Sequence, residues 1–140
     1  MVLTETGAAT AVGKVLPQLN GKLTGNAIRV PTPNVSMAIL NLTLNRATTR
    51  EEVNEYMRRM ALHSPLRKQI DYSDSPEVVS TDFVGSRHAC VFDAEATIVS
   101  ENHVTLYFWY DNEFGYSCQV HRILEHIADV HYAVYPKADA

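Results

Sequence analysis

The residues whose types and spacing could do chemistry fall into four groups: a Thr6-Gly7 pair with Arg29 after it, six histidines, two cysteines, and the run Asp111-Asn112-Glu113. The last ends the alternating apolar stretch "VTLYFWY" and opens an aromatic-rich helical pattern, "EFGYS". Two carboxylates two residues apart at a strand end could serve acid–base chemistry. Asp and Asn at such a junction equally well cap a helix. Asn112 is the more specific feature, because a side-chain amide offers the donor and the acceptor that a ligand carboxamide requires in return.

Thr6-Gly7 opens the first helical pattern, where unpaired backbone N–H groups and the helix dipole favour an anion. Thr6 adds a hydroxyl, and Gly7 allows close approach to the backbone. Arg29, on the strand after the next turn, could return beside them as a fork for phosphate oxygens. Plain capping with a surface arginine is the competing reading. "GAATAVGK" is not a Walker A loop: five residues separate its glycines instead of four, and Val15 follows Lys14 where Ser or Thr is needed.

The histidines do not make a metal site. His121, His126 and His131 recur every five residues, a step of about 140° around a helix that spreads them over different faces. His88 and Cys90 could share one side of a strand, but two ligands are too few. Cys90 lies in an apolar strand and reads as a small core residue. Cys118 falls near a helix N-terminus, which lowers a thiol pKa; packing is the simpler account.

The elements that must position these residues follow from periodicity. Ala8, Ala11, Val12, Val15 and Leu16 give one apolar face of a helix over Thr6–Leu16. Pro17 ends it, and Asn20-Gly21 marks a turn. Strands are expected at Ala27–Val30 and Met37–Leu44. Thr49 with Glu52 forms a capping-box pattern ahead of a helix at Arg50–Leu62. The stretch "HSPLRKQIDYSDSPEVVS" reads as turns and short strands. Further strands are expected at Ala89–Asp93, Ala96–Ser100 and Val104–Tyr110, the last two joined tightly by Glu101-Asn102-His103. A third helix begins near Glu113, striped by Val120, Ile123, Leu124 and Ile127. This order implies an α+β fold, a mixed, largely antiparallel sheet with helices packed on one face.

The 140 residues suit one domain, and 46% hydrophobic with 20% charged residues argues against disorder. A formal charge of -4 argues against a nucleic-acid partner. The absence of a long apolar run argues against a membrane span. "MVLTETGAAT" has no leader character, so the chain is expected to be cytoplasmic with both thiols reduced.

Two long, irregular stretches, "TGAATAVGKVLPQLNGKLTGNAIRVPTPNVS" and "WYDNEFGYS", closely resemble catalytic-domain signatures of the glyceraldehyde-3-phosphate dehydrogenase family. The resemblance runs from about Thr6 to about Ala128. In that family a cysteine thiol attacks the aldehyde, a histidine acts as base, hydride passes to NAD and inorganic phosphate releases the acyl group. The resemblance implies that Thr6 and Gly7 belong to the site for inorganic phosphate and that Arg29 lies near the inorganic and substrate phosphates. It also implies that Asn112 holds the nicotinamide carboxamide, with Tyr116 packing nearby. The implied ligands are NAD, glyceraldehyde 3-phosphate and inorganic phosphate; the implied partners are the missing N-terminal half or further copies, the family being tetrameric.

The departures are equally informative. Residues 1–140 read as a partial catalytic domain, with the dinucleotide-binding domain, the "SCTTNC"-like nucleophile segment and the histidine base all outside it. Neither Cys90 nor Cys118 matches the nucleophile's context, so no catalytic residue is assigned and the isolated chain is expected to be inactive. Glu5 stands where the family often has Ser, and Thr10 where it often has Lys. The tail "HYAVYPKADA" extends past the usual last helix, suggesting a less common bacterial-type branch. Two roles fit the chain: the C-terminal part of a phosphorylating dehydrogenase, or a non-catalytic assembly module or truncated-gene remnant.

Overall fold

The computed structural model describes residues 1–132 and divides the chain into two units, Met1–Pro33 and the part from Asn34 onward. The tail from residue 133 lies outside the described residues.

In the first unit, β1 (Val2–Glu5) pairs antiparallel with β2 (Asn26–Arg29), and α1 (Ala8–Val15) lies between them in sequence. Sequence periodicity misses β1, because four residues before a helix carry too little alternation to register. It places α1 correctly, although the apolar face it implies stays largely open: Val15 is 78% exposed and Leu16 42%. Gly13 is the buried position of the helix, where an added Cβ would lie 3.3 Å from the Asn20 side chain.

The second unit carries a four-stranded sheet in the order β3-β6-β5-β4, formed by β3 (Ser36–Thr43), β4 (Ile70–Ser73), β5 (Cys90–Ser100) and β6 (His103–Tyr110). The β3–β6 and β5–β6 pairs are antiparallel, and β4 runs parallel to β5. The fold is thus the expected α+β class with a mixed, mostly antiparallel sheet. The two strands expected at Ala89–Asp93 and Ala96–Ser100 form one strand with an irregularity, since the register jumps between Asp93 and Ile98. The polar groups freed there are satisfied locally: Asp93 Oδ1 accepts from the Ala96 N–H, and Ala94 O accepts from Arg50 and Asn54.

Alternation along β6 decides which face is covered. Val104, Leu106 and Phe108 point to the side where α2 (Arg50–His63) lays Val53 and Met57 against them, around the fully buried Phe92. The helix starts where the sequence pattern places it, with Thr49 Oγ1 accepting the Glu52 N–H. The opposite face carries Met37, Ile39 and Ile98, and Ile39 and Ile98 are more than half exposed. A smaller cluster of Val35, Phe83 and Val91 packs with Trp109, whose ring stacks on Phe83 at 5.3 Å between centroids.

The last helix, α3 (Phe114–Ile127), contacts the 86–88 segment. Gln119 and Arg122 both donate to Arg87 O, and Gly115 approaches so closely that a Cβ there would lie 2.7 Å from His88 O. Among the described residues no helix is long and apolar enough to cross a membrane.

Candidate functional site

β6 delivers the chain from Trp109 and Tyr110 into Asp111, which is only 3% exposed. Its carboxylate accepts four hydrogen bonds. Oδ1 takes the N–H groups of Glu113 at 3.0 Å and Phe114 at 2.8 Å, and Oδ2 takes Gly85 N–H at 2.9 Å and Asn34 Nδ2 at 3.1 Å. These bonds stabilise the charged form, the Gly85 N–H foremost and then that of Phe114, and they hold the carboxyl below its ordinary value of 3.8 against the opposing effect of burial. Asp111 is therefore a capping carboxylate and not half of an acid–base pair.

The cap fixes the position of the next residue. Asn112 is exposed, and its Oδ1 accepts a hydrogen bond of 2.9 Å from the Ser36 hydroxyl. Among the described residues no hydrogen bond engages its Nδ2. Tyr116, in the first turn of α3, is 70% exposed. The opposing wall comes from a bent entry into β3. Val35 adopts φ 71° with its N–H donated to Asn34 Oδ1 at 2.7 Å, and Asn34 and Ser36 on either side both reach the 111–112 corner. A left-handed conformation at a β-branched residue is costly, by about 1–3 kcal/mol, and persists only where surrounding contacts over-determine it. Sequence reasoning does not single out Asn34, Ser36 or Gly85. Their partners lie far along the chain, and no local pattern signals such pairing; Gly85 at φ 81° is a turn glycine by type alone.

In the first unit Thr6 Oγ1 accepts the Ala8 N–H at 3.2 Å, and Gly7 occupies the N-cap of α1 with open space around it. The Glu5↔Asn26 pair adjoins Thr6, whereas Arg29 is paired with Val2 at the other end of the two-stranded sheet. The structure thus brings Thr6 and Gly7 together at the helix entrance. Among the described residues no hydrogen bond or ion pair joins Arg29 to them.

Burial pushes the Cys90 thiol up to about 11, which keeps it protonated and unreactive at neutral pH. Cys118 is half-buried inside α3, and both cysteines are free. Among the described residues no group of three or more potential ligands could hold a metal ion.

The class of structure is an α+β domain, a helix-backed mixed sheet whose last strand leads into an exposed, hydrogen-bonded asparagine. Residues 1–112 match the family "Glyceraldehyde 3-phosphate dehydrogenase, C-terminal domain", so the chain belongs to that family through that domain. It is 71% identical over 137 residues to the "Glyceraldehyde-3-phosphate dehydrogenase-like protein" of Pseudomonas aeruginosa (strain UCBPP-PA14), covering 98% of this chain and 30% of the relative. It is 50% identical over 129 residues to the glyceraldehyde-3-phosphate dehydrogenase of Schistosoma mansoni, covering 91% of this chain and 38% of that protein. Glyceraldehyde-3-phosphate dehydrogenase 3 of Saccharomyces cerevisiae gives 46% over 129 residues, with the same coverage. The chain therefore spans well under half the length of these relatives.

Proposed function

We propose that this chain is the C-terminal part of a phosphorylating, NAD-dependent glyceraldehyde-3-phosphate dehydrogenase, whose nucleophilic cysteine and base histidine lie outside residues 1–140. In this reading Asn112 and Tyr116 contact the nicotinamide, and Thr6, Gly7 and Arg29 serve inorganic and substrate phosphate. The observation that carries it is the anchored amide. Asn112 comes directly after a buried carboxylate with four bonds, sits exposed, and keeps one half of its amide uncommitted among the described residues. That half fits a carboxamide. NAD, when bound, accepts the hydride. The part of this chain is to hold the ring's substituent at a fixed angle, and misplacing a reacting atom costs rate more than affinity. The helix entrance at Thr6-Gly7 would favour a phosphate by dipole and free N–H groups, with Arg29 adding charge.

A second reading, an assembly module without catalysis, draws on the open sheet face with Ile39 at 53% and Ile98 at 56% exposure. One assay separates the two. NADH formation from glyceraldehyde 3-phosphate, NAD and phosphate is measured with this chain alone and with the remaining part of a family dehydrogenase supplied as a second polypeptide. The proposal expects no turnover alone, turnover in the mixture, and a kcat loss of about tenfold or more for Asn112→Ala with a smaller change in NAD affinity. Turnover by the chain alone, abolished by Cys118→Ser, would overturn the placement of the nucleophile elsewhere. Absence of turnover in the mixture, with a stable complex formed, would favour the assembly module.

A further inference from the structure

One cleft plays no part in the dehydrogenase reading: that between α3 and the segment entering β5. It holds about 380 Å³ and is lined by Gln69, Ala89, Gln119, Arg122, Ile123 and His126. Such a volume, with apolar walls and a few polar groups, is the ordinary setting of a small-molecule site. The helix period accounts for half of the lining. Gln119, Arg122, Ile123 and His126 stand three, four and seven residues apart and so share one face of α3. Ala89 and Gln69 close the cleft from the sheet, where Gln69 O takes the Ala89 N–H at 2.8 Å.

Among the described residues an arginine lines this cleft and no carboxylate does. Arg122 Nη2 and Gln119 Nε2 both donate to Arg87 O, at 3.2 and 3.1 Å, which fills the two lone pairs of that carbonyl. Arg122 Nη1 is shielded from solvent and has no acceptor among the described residues. The next acid along the helix, Glu125, is paired with His121 at 3.2 Å. Burial holds the Arg122 guanidinium below its ordinary 12.5, so this cation has given up water without gaining an anion. A covered and unpaired charged donor rewards a ligand that brings it an acceptor. A carboxylate matches the planar guanidinium fork and carries one charge for one cation. The Ala89 and Ile123 side chains beside it suit carbon and not further polar oxygens.

We propose that the cleft between α3 and β5 binds a small carboxylic acid with an apolar body, its carboxylate on Arg122 and its carbon skeleton against Ala89 and Ile123. Because Arg122 itself lines the space, a small swing of its guanidinium brings Nη1 to the ligand. His126, one turn beyond Arg122 on the same face, and Gln69 add polar groups to the rim. The site shares no residue with the proposed phosphate and nicotinamide contacts, and it stands or falls without them.

The test is a titration of the full chain with 3-phenylpropionate, followed by nuclear magnetic resonance at Ala89 and Ile123. Their signals should shift and saturate. 3-Phenylpropionamide, of the same shape without the charge, should bind about tenfold or more weakly. Arg122→Gln should cost the acid a similar factor and leave the amide unchanged, and Arg122→Lys, which keeps the charge without the fork, should fall between. Ala89→Phe should block the acid by filling the space while Arg122 stays. Unfolding midpoints report whether each variant is folded, and the comparison of acid with amide on the wild-type chain needs no variant at all. Absence of any shift overturns the proposal, as does equal binding of acid and amide, or a folded Arg122→Gln chain that still prefers the acid. Inorganic phosphate moving the same signals at the same concentration would overturn the ligand class. A capped glutamate binding as well as 3-phenylpropionate would also overturn it, and would give the cleft to an acidic side chain of a partner protein.

Discussion

The corner around Asn112 and the helix entrance at Thr6-Gly7 are built on opposite plans. At the corner most polar groups find partners within the chain: four donors converge on Asp111, a hydroxyl reaches Asn112, and α3 lies close enough to His88 O to require a glycine. At the helix entrance one weak bond joins Thr6 to Ala8 and Gly7 faces open space, while Arg29, at the far end of the two-stranded sheet, is exposed. The first is a pre-organised contact whose geometry is inseparable from stability. The second is held by few contacts, so on the proposed reading a change there should alter phosphate binding and leave the fold nearly untouched.

The largest expected effect tests the corner. Asp111→Ala strands the donors of Gly85, Asn34 and the first turn of α3, and should lower unfolding stability by about 3 kcal/mol or more, read as a denaturant midpoint. The same bonds predict a pH dependence. The folded carboxyl titrates below its ordinary 3.8, so its stabilisation is complete above that value and is lost as pH falls through the depressed one. Asp111→Asn should flatten that acid limb. An unchanged midpoint would mean that the corner is held by packing alone.

Next in size comes Gly115→Ala. The new methyl would meet a backbone carbonyl, which cannot swing aside as a side chain can, and the cost should be about 1–3 kcal/mol. The matched substitution in the other region, Gly7→Ala, meets nothing within 4 Å and should stay within about 0.5 kcal/mol. Equal effects for the two would erase the contrast between the regions.

How far the sequence reveals this contrast depends on distance along the chain. The α2 stripe, the Thr49 cap and the alternation of β6 are local patterns, and each is found where periodicity puts it. The Asp111 cap is legible as one of two roles, because helix entry is a local event. Its Asn34 and Gly85 partners are not, since nothing near residue 111 signals them. The irregularity in β5 reads as a gap between two strands for a related reason: Asp93 turns its carboxylate back on Ala96 and breaks the alternation while the strand continues. The cofactor and phosphate roles come from family resemblance; spacing by itself favours capping and a surface arginine over a phosphate site.

Smaller effects sharpen the chemistry. Cys90 titrates near 11 against an ordinary 9.0, so an unfolded chain releases that proton first. Its contribution to stability is present below pH 9 and declines as pH rises toward 11. Cys90→Ala should remove that alkaline limb, and thiol labelling of the folded chain at about pH 8 should be slow at this position. Smallest of all in stability is Arg29→Ala, expected within about 0.5 kcal/mol by thermal or denaturant unfolding. In a completed enzyme the same change should cost about 1.5–3 kcal/mol in phosphate-dependent kinetics. A large stability loss would place Arg29 in the scaffold instead.

The order of the strands has a consequence in time. β5 and β6 are neighbours joined by the two-residue link Glu101-Asn102, so their hairpin can close by a short search. β3 pairs with β6 only after α2, β4 and β5 have intervened, and closing so long a loop is entropically slower. Its entry residues, Asn34 to Ser36, are the ones that finish the corner. The Asp111-Asn112 contact surface therefore forms late in folding, and destabilising β3 should speed its unfolding more than it slows the collapse of the hairpin.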